Sequence, residues 1–371
     1  MDNYGIYVHI PFCKARCGYC AFCSCTDYRL TDAYFAKLYD EMTYFRNTDA
    51  QIATVYLGGG TPSSVGEDAL NKLFYNLRVN FNLSHVSEIT VECNPESVSE
   101  SMLRCLKSNG VNRLSFGLQS VNDETLKRIG RLHSYSQFEQ ALNLARKLGF
   151  DNVNADLIVG LPESVDDFRN SVDVVSRLPL QHVSVYALEL HEGTAFYEKY
   201  KTQQFDNDTL ADMYDYAVVA LSNAGFDRYE ISNFAKPNRQ CLHNLNYWCE
   251  GRYFAFGASA SGFIGDVRYV NPCDIQAYLA TPTNQLHDDC EIISHNDQAN
   301  EYVMLGLRLS SGVSLDEFRQ TFGKDFFDYF VAARGLLQQG FLFVSGGNVY
   351  VPSDKLYVVN SILSELLVFD E

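Results

Sequence analysis

The chain has 371 residues, enough for about two domains of the usual size, and its 46% hydrophobic and 20% charged residues are typical of a globular protein rather than a disordered one. Its 29 Lys and Arg against 46 Asp and Glu give a formal net charge of −17, which repels phosphate backbones and argues against a nucleic-acid partner. No apolar run approaches the ~20 residues that cross a bilayer, and no basic leader precedes an apolar stretch, so we expect a cytoplasmic protein with no integral membrane segment.

Short strand-like runs alternate with amphipathic helical segments through the first half of the chain. Strands are predicted at residues 6–10, 54–57, 89–91, 114–116, 153–158 and 182–188. Apolar residues at three- and four-residue spacing define three helical faces between them: Tyr34, Leu38, Met42 and Phe45 after a Thr31 cap; Leu70, Leu73, Phe74 and Leu77; and Phe138, Leu142, Ala145 and Leu148, closed by Gly149. The alternation predicts six parallel βα units.

Polar or otherwise unusual residues follow every predicted strand. These clusters are His9 with Cys13, residues 58–62, residues 92–95, Gln119 with Ser120, Asp156, and Tyr186 with Glu189. In an open sheet only the strand ends near the switch point meet a ligand, whereas in a barrel all carboxyl ends converge on one mouth. The clusters therefore favour an α/β fold with a partial (β/α)6 TIM-like barrel, and ordinary loop chemistry is the alternative explanation.

The pattern changes near Tyr229, and a smaller module follows toward the C-terminus. Its predicted elements are helices at 313–322 and 326–339 and a hairpin at 341–344 and 349–351 around the turn 345–348, an arrangement similar to a winged helix. The predicted domains are a partial barrel at 1–235, a segment at 236–300 that closes the barrel, and an α+β, winged-helix-like C-terminal domain at 301–371.

Eleven cysteines are many for a reducing compartment, and five of them lie between residues 13 and 25. Cys13, Cys17 and Cys20 directly follow the first strand with CxxxCxxC spacing. Thiolates suit iron–sulfur clusters or zinc, and three local cysteines would leave one iron of a 4Fe–4S cubane open to a small molecule. A four-thiolate zinc site that recruits Cys23 or Cys25 is the alternative.

A glycine run, Gly58–Gly60 followed by Thr61, comes after the second strand and would let a ligand approach the backbone closely. Further polar residues at or near strand ends are Glu92, Gln119, Arg131 and Asp156. Taken singly, each has the ordinary explanation of a cap or a surface ion pair. A zwitterionic ligand with a ribose needs the same groups, because acids bind its ammonium and hydroxyls and a guanidinium or amide binds its carboxylate.

The CxxxCxxC spacing resembles the signature of radical S-adenosylmethionine (SAM) proteins, and the glycine run looks like the GGE-type motif of that family. Segments 7–13, 58–63, 114–120 and 156–162 are similar to the branch that contains oxygen-independent coproporphyrinogen III oxidase and the HemW-type heme chaperones. The resemblance implies a 4Fe–4S cluster on the three cysteines, with SAM chelating its fourth iron and an electron donor allowing cleavage to a 5′-deoxyadenosyl radical. The SAM-binding positions that it implies are Tyr7, Tyr19, Gly59, Gly60, Thr61, Glu92, Gln119, Arg131, Asp156 and Ala187.

Three features favour the chaperone side of this branch. Phe22 stands where the oxidase usually has a further cysteine, Cys13 lies almost at the start of the chain where the oxidase has a long arm, and residues 229–236 and 243–248 resemble the HemW segment with its HNxxY element. That element is associated with heme in HemW-type proteins, and a neutral imidazole is a good axial ligand, so His243 is the predicted heme residue. A core or capping histidine is the alternative, and Ser261 departs from the family pattern, which has a histidine there.

The resemblance implies a 4Fe–4S protein of heme metabolism: a heme chaperone that binds heme or another tetrapyrrole as cargo and delivers it to recipient apo-haemoproteins. No catalytic residue is predicted, and enzymatic activity is left open. One alternative is the oxidase, which converts coproporphyrinogen III to protoporphyrinogen IX by oxidative decarboxylation. Another is a zinc-stapled binding protein without a cofactor. Cys23 and Cys25 could be spare cluster ligands, a redox pair or a source of heterogeneity. Cys241 and Cys249 have no assigned role; a thiolate could ligate heme, and an inert buried cysteine is the ordinary alternative.

Overall fold

The computed structural model describes residues 3–46, 48–202 and 205–368, and its first half is a run of six parallel βα units. The strands are β1 (Asn3–Ile10), β2 (Gln51–Gly59), β3 (Glu88–Cys93), β4 (Arg113–Gln119), β5 (Val153–Val159) and β6 (His182–Ala187). The helices between them are α1 (Thr31–Tyr44), α2 (Glu67–Asn80), α3 (Glu100–Ser108), α4 (Asp123–Arg128), α5 (Tyr135–Lys147) and α6 (Val165–Arg177). The six strands pair in chain order, all parallel, which confirms the predicted units.

The two faces of this sheet differ in burial, as the period-two alternation of a strand requires. On β1, Ile6, Val8 and Ile10 are fully buried beneath the helices, whereas Tyr7 between them is only half-buried on the opposite face. Half-buried polar residues continue along that opposite face, at positions that include Tyr56, Glu92, Gln119 and Asp156. The sheet therefore curls around an inner space that polar side chains line.

The helix starts follow local capping chemistry, with one difference from the sequence expectation. Ser134 and Ser164 both form capping boxes at the starts of α5 and α6. Thr31, predicted as the cap of α1, is instead its first helical residue; Leu30 holds the N-cap position, and the Thr31 hydroxyl donates to the Tyr28 carbonyl at 2.7 Å. The short 3-10 turn at Tyr28–Leu30 accounts for the shift, because it leaves Thr31 with helical backbone angles (φ −56°, ψ −50°), whereas an N-cap residue is usually extended.

The sheet continues beyond both edges of the six parallel strands. The next elements are α7 (Ala195–Tyr200), α8 (Asn207–Asn223), β7 (Asp227–Arg228), β8 (Asn233–Ala235), α9 (Leu242–Trp248), β9 (Arg252–Phe256), β10 (Ser261–Ile264), β11 (Val267–Val270), α10 (Ile275–Ala280) and β12 (Cys290–Ile292). Strand order is β12-β11-β10-β9-β1-β2-β3-β4-β5-β6-β8-β7, with β9 parallel to β1. Within the described residues the edge strands β12 and β7 do not pair, so the curled sheet is a partial barrel.

The C-terminal elements form a separate small module. They are α11 (His295–Gly306), β13 (Val313–Ser314), α12 (Leu315–Phe322), α13 (Phe326–Tyr329), α14 (Ala333–Gln338), β14 (Phe343–Ser345), β15 (Asn348–Tyr350) and α15 (Val359–Leu366). The strands pair in the order β13-β15-β14 and, together with the helices, enclose their own apolar core. The turn at Gly346 and Gly347 has positive φ at both residues, as a tight hairpin requires. The second predicted helix is divided into α13 and α14, and the predicted domain boundaries remain predictions.

None of the helices in the described part of the chain combines the length and apolarity that a bilayer crossing would need.

Candidate functional site

The three predicted cluster cysteines lie on a loop that leaves the carboxyl end of β1 and returns to it. The Cys13 amide donates to the Cys25 carbonyl at 2.9 Å, and the Cys25 amide donates to the Pro11 carbonyl at 2.7 Å. These two bonds close the base of the loop beside β1. At its far side the Gly18 amide donates to the Ile129 carbonyl at 3.1 Å, which fixes the tip against the end of α4. The loop is therefore held at both ends, with Cys17 between them.

A chain of polar contacts runs from one cysteine to another around the site. Arg131 Nη1 lies 3.7 Å from Cys17 Sγ, and its Nη2 donates to Asn94 Oδ1 at 2.7 Å. Asn94 Nδ2 then donates to Thr61 Oγ1 at 3.0 Å, and that hydroxyl lies 3.5 Å from Cys13 Sγ. Because Thr61 accepts from Asn94, its own hydrogen can point at the sulfur. Burial raises the pKa of Cys13, while the Thr61 bond and the Arg131 charge lower it.

Cys23 and Cys25 do not join the other three cysteines in the way that a four-thiolate zinc site would require. Cys23 Sγ donates to the Cys273 carbonyl at 2.6 Å, and Cys25 Sγ accepts from the Asp27 amide at 3.3 Å. Among the residues that the structure describes, no three Cys, His, Asp or Glu side chains converge on a point where a single ion could bind. In a cluster each thiolate binds a different iron, so its cysteines need not converge on one point.

The glycine run fits tightly against the root of the cluster loop. The Gly60 amide donates to the Ile10 carbonyl at 2.9 Å, and the Thr61 amide donates to the Phe12 carbonyl at 2.8 Å. A Cβ on Gly60 would lie 2.6 Å from the Pro11 carbonyl carbon, far inside van der Waals contact. Gly59 has a φ of +108°, and a Cβ there would lie 2.5 Å from the His9 ring. Glycine is therefore required at both positions for β2 to approach β1 this closely.

Glu92 binds the same glycine run from β3. Its carboxylate accepts from the Gly59 amide at 3.0 Å and from the Tyr56 hydroxyl at 2.9 Å. Enclosure by protein raises the Glu92 pKa to about 7, and the charge of Asp156 across the inner space adds to this effect. The carboxylate is thus placed to accept a further hydrogen bond or an ammonium group at the barrel mouth.

This pKa shift predicts how stability depends on pH. Folded Glu92 binds its proton more tightly than the unfolded chain does, so its contribution to stability is fully present below about pH 4.5 and is lost as the pH rises through about 7. Replacing it by Gln removes a charge whose burial is costly above that pH. We therefore expect the Tm of Glu92→Gln, relative to the original protein without added ligand, to be higher at pH 8 than at pH 5.5. An equal difference at both pH values would contradict the raised pKa.

Two buried polar atoms in the site have no partner among the described residues. They are Gln119 Oε1 and Arg131 Nε. Gln119 is a non-glycine residue with a φ of +77°, next to an irregularity in the β4–β5 pairing. A strained residue that aims an orphaned oxygen into a polar space is the arrangement expected where a ligand supplies the missing bond. The residues present therefore fit a zwitterionic cofactor at this mouth.

The other implied SAM positions surround the same space. Asp156 Oδ1 accepts from Asn154 Nδ2 at 2.7 Å, and burial raises its pKa. The Tyr7 hydroxyl lies 3.1 Å from His9 Nδ1, Tyr19 packs edge-on against Phe196 with centroids 6.2 Å apart, and Ala187 is exposed at the end of β6. Sequence reasoning included Asn94 in a polar cluster after the third strand without giving it a role, and it missed Asn154; a polar residue directly after or within a strand is too common a signal to single them out.

His243 lies one layer away from this mouth, toward the amino-terminal end of the strands: its ring stacks on Tyr56 with centroids 5.2 Å apart, and the Tyr56 hydroxyl binds Glu92. It is fully buried on α9, where Nδ1 bonds Thr54 Oγ1 and Nε2 bonds the Tyr247 hydroxyl, both at 2.8 Å. Burial lowers its pKa to about 3, so the ring is neutral. Glu88 fixes this end of α9 by accepting from the His243 amide at 3.1 Å. The structure therefore favours the alternative that His243 is a core residue, because neither ring nitrogen is free to bind iron in this arrangement.

A cavity of about 530 Å³ opens beside α9, between β9–β11 and α11. Its aromatic walls are Tyr7, Tyr247, Tyr253 and Phe263. Its polar wall pairs Arg268 with Glu301 at 2.7 Å. Tyr7 belongs to both the cavity and the set of implied SAM positions, so the cavity adjoins the cofactor site.

Comparison with known proteins places these features in a family context. Residues 7–175 match the Radical SAM superfamily, and residues 293–353 match the HemN C-terminal domain. The heme chaperone HemW of Bacillus subtilis (strain 168) is 34% identical over an alignment of 375 positions, which covers 97% of this chain and 98% of that protein. HemW of Lactococcus lactis subsp. lactis is 33% identical over 98% of this chain and 97% of the Lactococcus protein. HemW of Escherichia coli (strain K12) is 35% identical over 69% of this chain and 69% of the Escherichia protein.

Among solved structures, coproporphyrinogen III oxidase (HemN) from Escherichia coli superposes with a TM-score of 0.84, covering 99% of this chain and 90% of that one at 23% sequence identity. This likeness concerns the fold, and it confirms the predicted α/β radical SAM architecture.

Proposed function

The chain belongs to the family of HemW heme chaperones, whose barrel is a radical SAM domain, and we propose that it binds heme and delivers it to apo-haemoproteins in the cytoplasm. The observation that carries the proposal is near-full-length similarity to HemW proteins, and it is supported by the CxxxCxxC cysteines Cys13, Cys17 and Cys20 on one loop after β1. Phe22 stands where the oxidase usually has a further cysteine, and its side chain has no atom that could bind a metal.

The residues at the barrel mouth have distinct tasks in this proposal. Cys13, Cys17 and Cys20 would hold a 4Fe–4S cluster, and the cluster, when bound, supplies an open iron for SAM and a one-electron reductant. Arg131 places its positive charge beside the Cys17 sulfur. The Thr61 hydroxyl favours the thiolate form of Cys13 and so opposes the effect of burial on the pKa of that thiol.

The remaining positions would orient the sulfonium cofactor. Glu92, fixed by the Gly59 amide, would accept from its ammonium group, and the unpartnered Gln119 Oε1 would accept a further hydrogen bond. Asp156, on the far side of the inner space, would accept from the ribose hydroxyls. Each of these groups is held by β3, β4 or β5, so the barrel presets their separation before any ligand arrives.

For the cargo, we propose the cavity bounded by Tyr247 and Tyr253. Flat aromatic walls suit the faces of a porphyrin, and a volume of about 530 Å³ lies within the range of ligand pockets. In this proposal His243 does not contact the cargo; it supports the cavity wall by holding the Tyr247 hydroxyl and the start of α9 in place. It does not bind iron in the conformation described.

His243→Ala therefore tests the role of the HNxxY element. We expect the free energy of unfolding to fall by about 2 kcal/mol, because the Thr54 and Tyr247 hydroxyls lose a buried partner, while the position of the heme Soret band stays unchanged. Chemical unfolding and a heme titration measure the two effects. Tyr253→Ala is the matched variant on the cavity wall, and it should weaken heme binding with less effect on stability. A lost or shifted Soret band in His243→Ala at unchanged stability would restore His243 as the iron ligand.

The chaperone proposal is tested by transfer of cargo under anaerobic conditions. The reconstituted protein is loaded with heme and mixed with apomyoglobin, and the appearance of holomyoglobin is followed spectroscopically. Transfer that depends on the loaded protein supports the proposal. Stoichiometric conversion of coproporphyrinogen III to protoporphyrinogen IX with release of 5′-deoxyadenosine, and no transfer, would instead establish the oxidase alternative.

A further inference from the structure

Two cysteines that the cofactor site does not use lie against each other beside the cluster loop. Cys23 is on the returning arm of that loop, and Cys273 lies between β11 and α10, 250 residues away in sequence. Cys23 Sγ donates to the Cys273 carbonyl at 2.6 Å, so it already contacts the backbone of the residue that it would bond. From this position the Cys23 sulfur can reach the Cys273 sulfur with little movement of the backbone.

The two cysteines lie on segments that differ in how firmly they are anchored to the core. Two residues before Cys273, Asn271 is buried and donates to Glu41 Oε1 at 2.6 Å and to the Gly257 carbonyl at 2.8 Å. The segment that carries Cys273 is thus anchored in the core. Cys23 belongs to the cluster loop, whose exposed residues include Lys14, Arg16 and Phe22. A covalent bond between the two would tether the cluster loop to a fixed point on the barrel.

We propose that Cys23 and Cys273 are a redox-active pair that closes to an intramolecular disulfide when the protein meets a low-molecular-weight disulfide such as oxidised glutathione. Cys273 is exposed, whereas Cys23 is half-buried. The exposed thiolate attacks one sulfur of the glutathione disulfide and releases one glutathione thiolate. Cys23 Sγ, after losing its proton, attacks the mixed disulfide and releases the second. The protein loses two electrons and two protons, and two glutathione molecules carry them.

The order of attack follows from the environments of the two sulfurs. Burial and the neighbouring Cys273 raise the pKa of the Cys23 thiol to about 12, which leaves little thiolate there to begin the exchange. The exposed partner is therefore the first nucleophile and Cys23 the resolving one.

The disulfide would also restrain one side of the cofactor site, where His9 contacts Tyr7 and the glycine run at Gly59. His9 Nε2 donates to the Cys23 carbonyl at 2.9 Å, and Nδ1 of the same ring therefore accepts from the Tyr7 hydroxyl at 3.1 Å. The His9 ring lies where a Cβ on Gly59 would be, so it contacts the glycine run directly. A disulfide at Cys23 would fix the residue whose carbonyl orients His9. It would therefore hold this side of the cofactor site in place whether or not the cluster is assembled.

Peptide mapping of the full-length protein tests the pair. The protein is reconstituted with its cluster anaerobically, so that the cluster cysteines are occupied, then treated with oxidised glutathione, blocked with N-ethylmaleimide and digested without reductant. We expect one cross-link, between Cys23 and Cys273, with loss of two hydrogens and reversal by dithiothreitol. The same cross-link should persist in Cys249→Ser, which removes an exposed cysteine elsewhere, and should be absent in Cys273→Ser.

The contrary results are equally distinct. A Cys23–Cys25 cross-link, a stable glutathione adduct on Cys273 alone, or no disulfide at all in the original protein would overturn the proposal, and none of these readouts requires a variant to fold. A second measurement checks whether the disulfide restrains the cluster loop. In protein that lacks the cluster, trypsin should cut after Lys14 and Arg16 more slowly when the Cys23–Cys273 disulfide is formed than when it is reduced. Equal cleavage rates would show that the bond does not restrain the loop.

Discussion

Cys17→Ala is expected to abolish cluster assembly. Its sulfur contacts Arg131 and the Gly130 carbonyl, at the tip of a loop that backbone bonds hold at both ends, so no other side chain can take its place without moving that loop. Two remaining local thiolates cannot hold a cubane. Iron and sulfide analysis after anaerobic reconstitution should fall to background, together with the visible absorbance of the cluster.

Two further cysteine variants make this result specific. Cys249→Ala, at the exposed end of α9, should retain iron at the level of the original protein. Cys23→Ala should also retain the cluster, because the Cys23 thiol faces Cys273. If Cys17→Ala keeps its iron and sulfide, the ligand assignment is wrong. If Cys17→Ala and Cys23→Ala both lose one equivalent of zinc and neither protein holds iron, the zinc alternative is correct.

Gly60→Ala is expected to weaken SAM binding at least tenfold, or by ~1.4 kcal/mol, with a matching loss of cluster content. A Cβ at this position would lie 2.6 Å from the Pro11 carbonyl carbon and 2.9 Å from the Ile10 carbonyl oxygen, both of them backbone atoms of the root of the cluster loop. Backbone cannot turn aside as the end of a flexible side chain can, so β2 and the loop must separate. That separation moves Thr61 away from Cys13.

Gly335→Ala is the matched control for this substitution. Gly335 lies in α14, where an added Cβ would meet nothing closer than 4.0 Å and alanine is the better helix former. Isothermal titration with SAM and iron analysis of both variants decide the outcome. Unchanged SAM affinity in Gly60→Ala, with a folded protein by circular dichroism, would show that the close approach of β2 to β1 is not needed for the cofactor.

The fold was largely predictable because its signals are local. Alternation along β1 and helical spacing on α2 and α5 follow directly from which faces must be buried. The convergence of polar strand ends followed from the topology, since parallel strands place their carboxyl ends on one edge. The Thr31 cap was wrong because an adjoining 3-10 turn, which hydrophobic spacing cannot show, already gives Thr31 a helical backbone conformation.

The candidate cluster cysteines can be proposed from the sequence, whereas the residues that support them cannot. Spacing alone gives Cys13, Cys17 and Cys20, but the bridge through Asn94 joins residues from three separate loops and has no sequence signature. The four-residue spacing of His243 and Tyr247 correctly indicated that they share a helical face. It could not show that this face turns inward, beneath the strands. The contact between Cys23 and Cys273 likewise depends on the tertiary fold.

The central claim is that three thiolates hold a cluster with one iron open to SAM, and electron paramagnetic resonance of the reconstituted, reduced protein tests it most directly. The account predicts a 4Fe–4S signal that changes when SAM is added, since the cofactor would reach an iron that no cysteine occupies. A signal that SAM leaves untouched, or a colourless protein with zinc in place of iron, would contradict it.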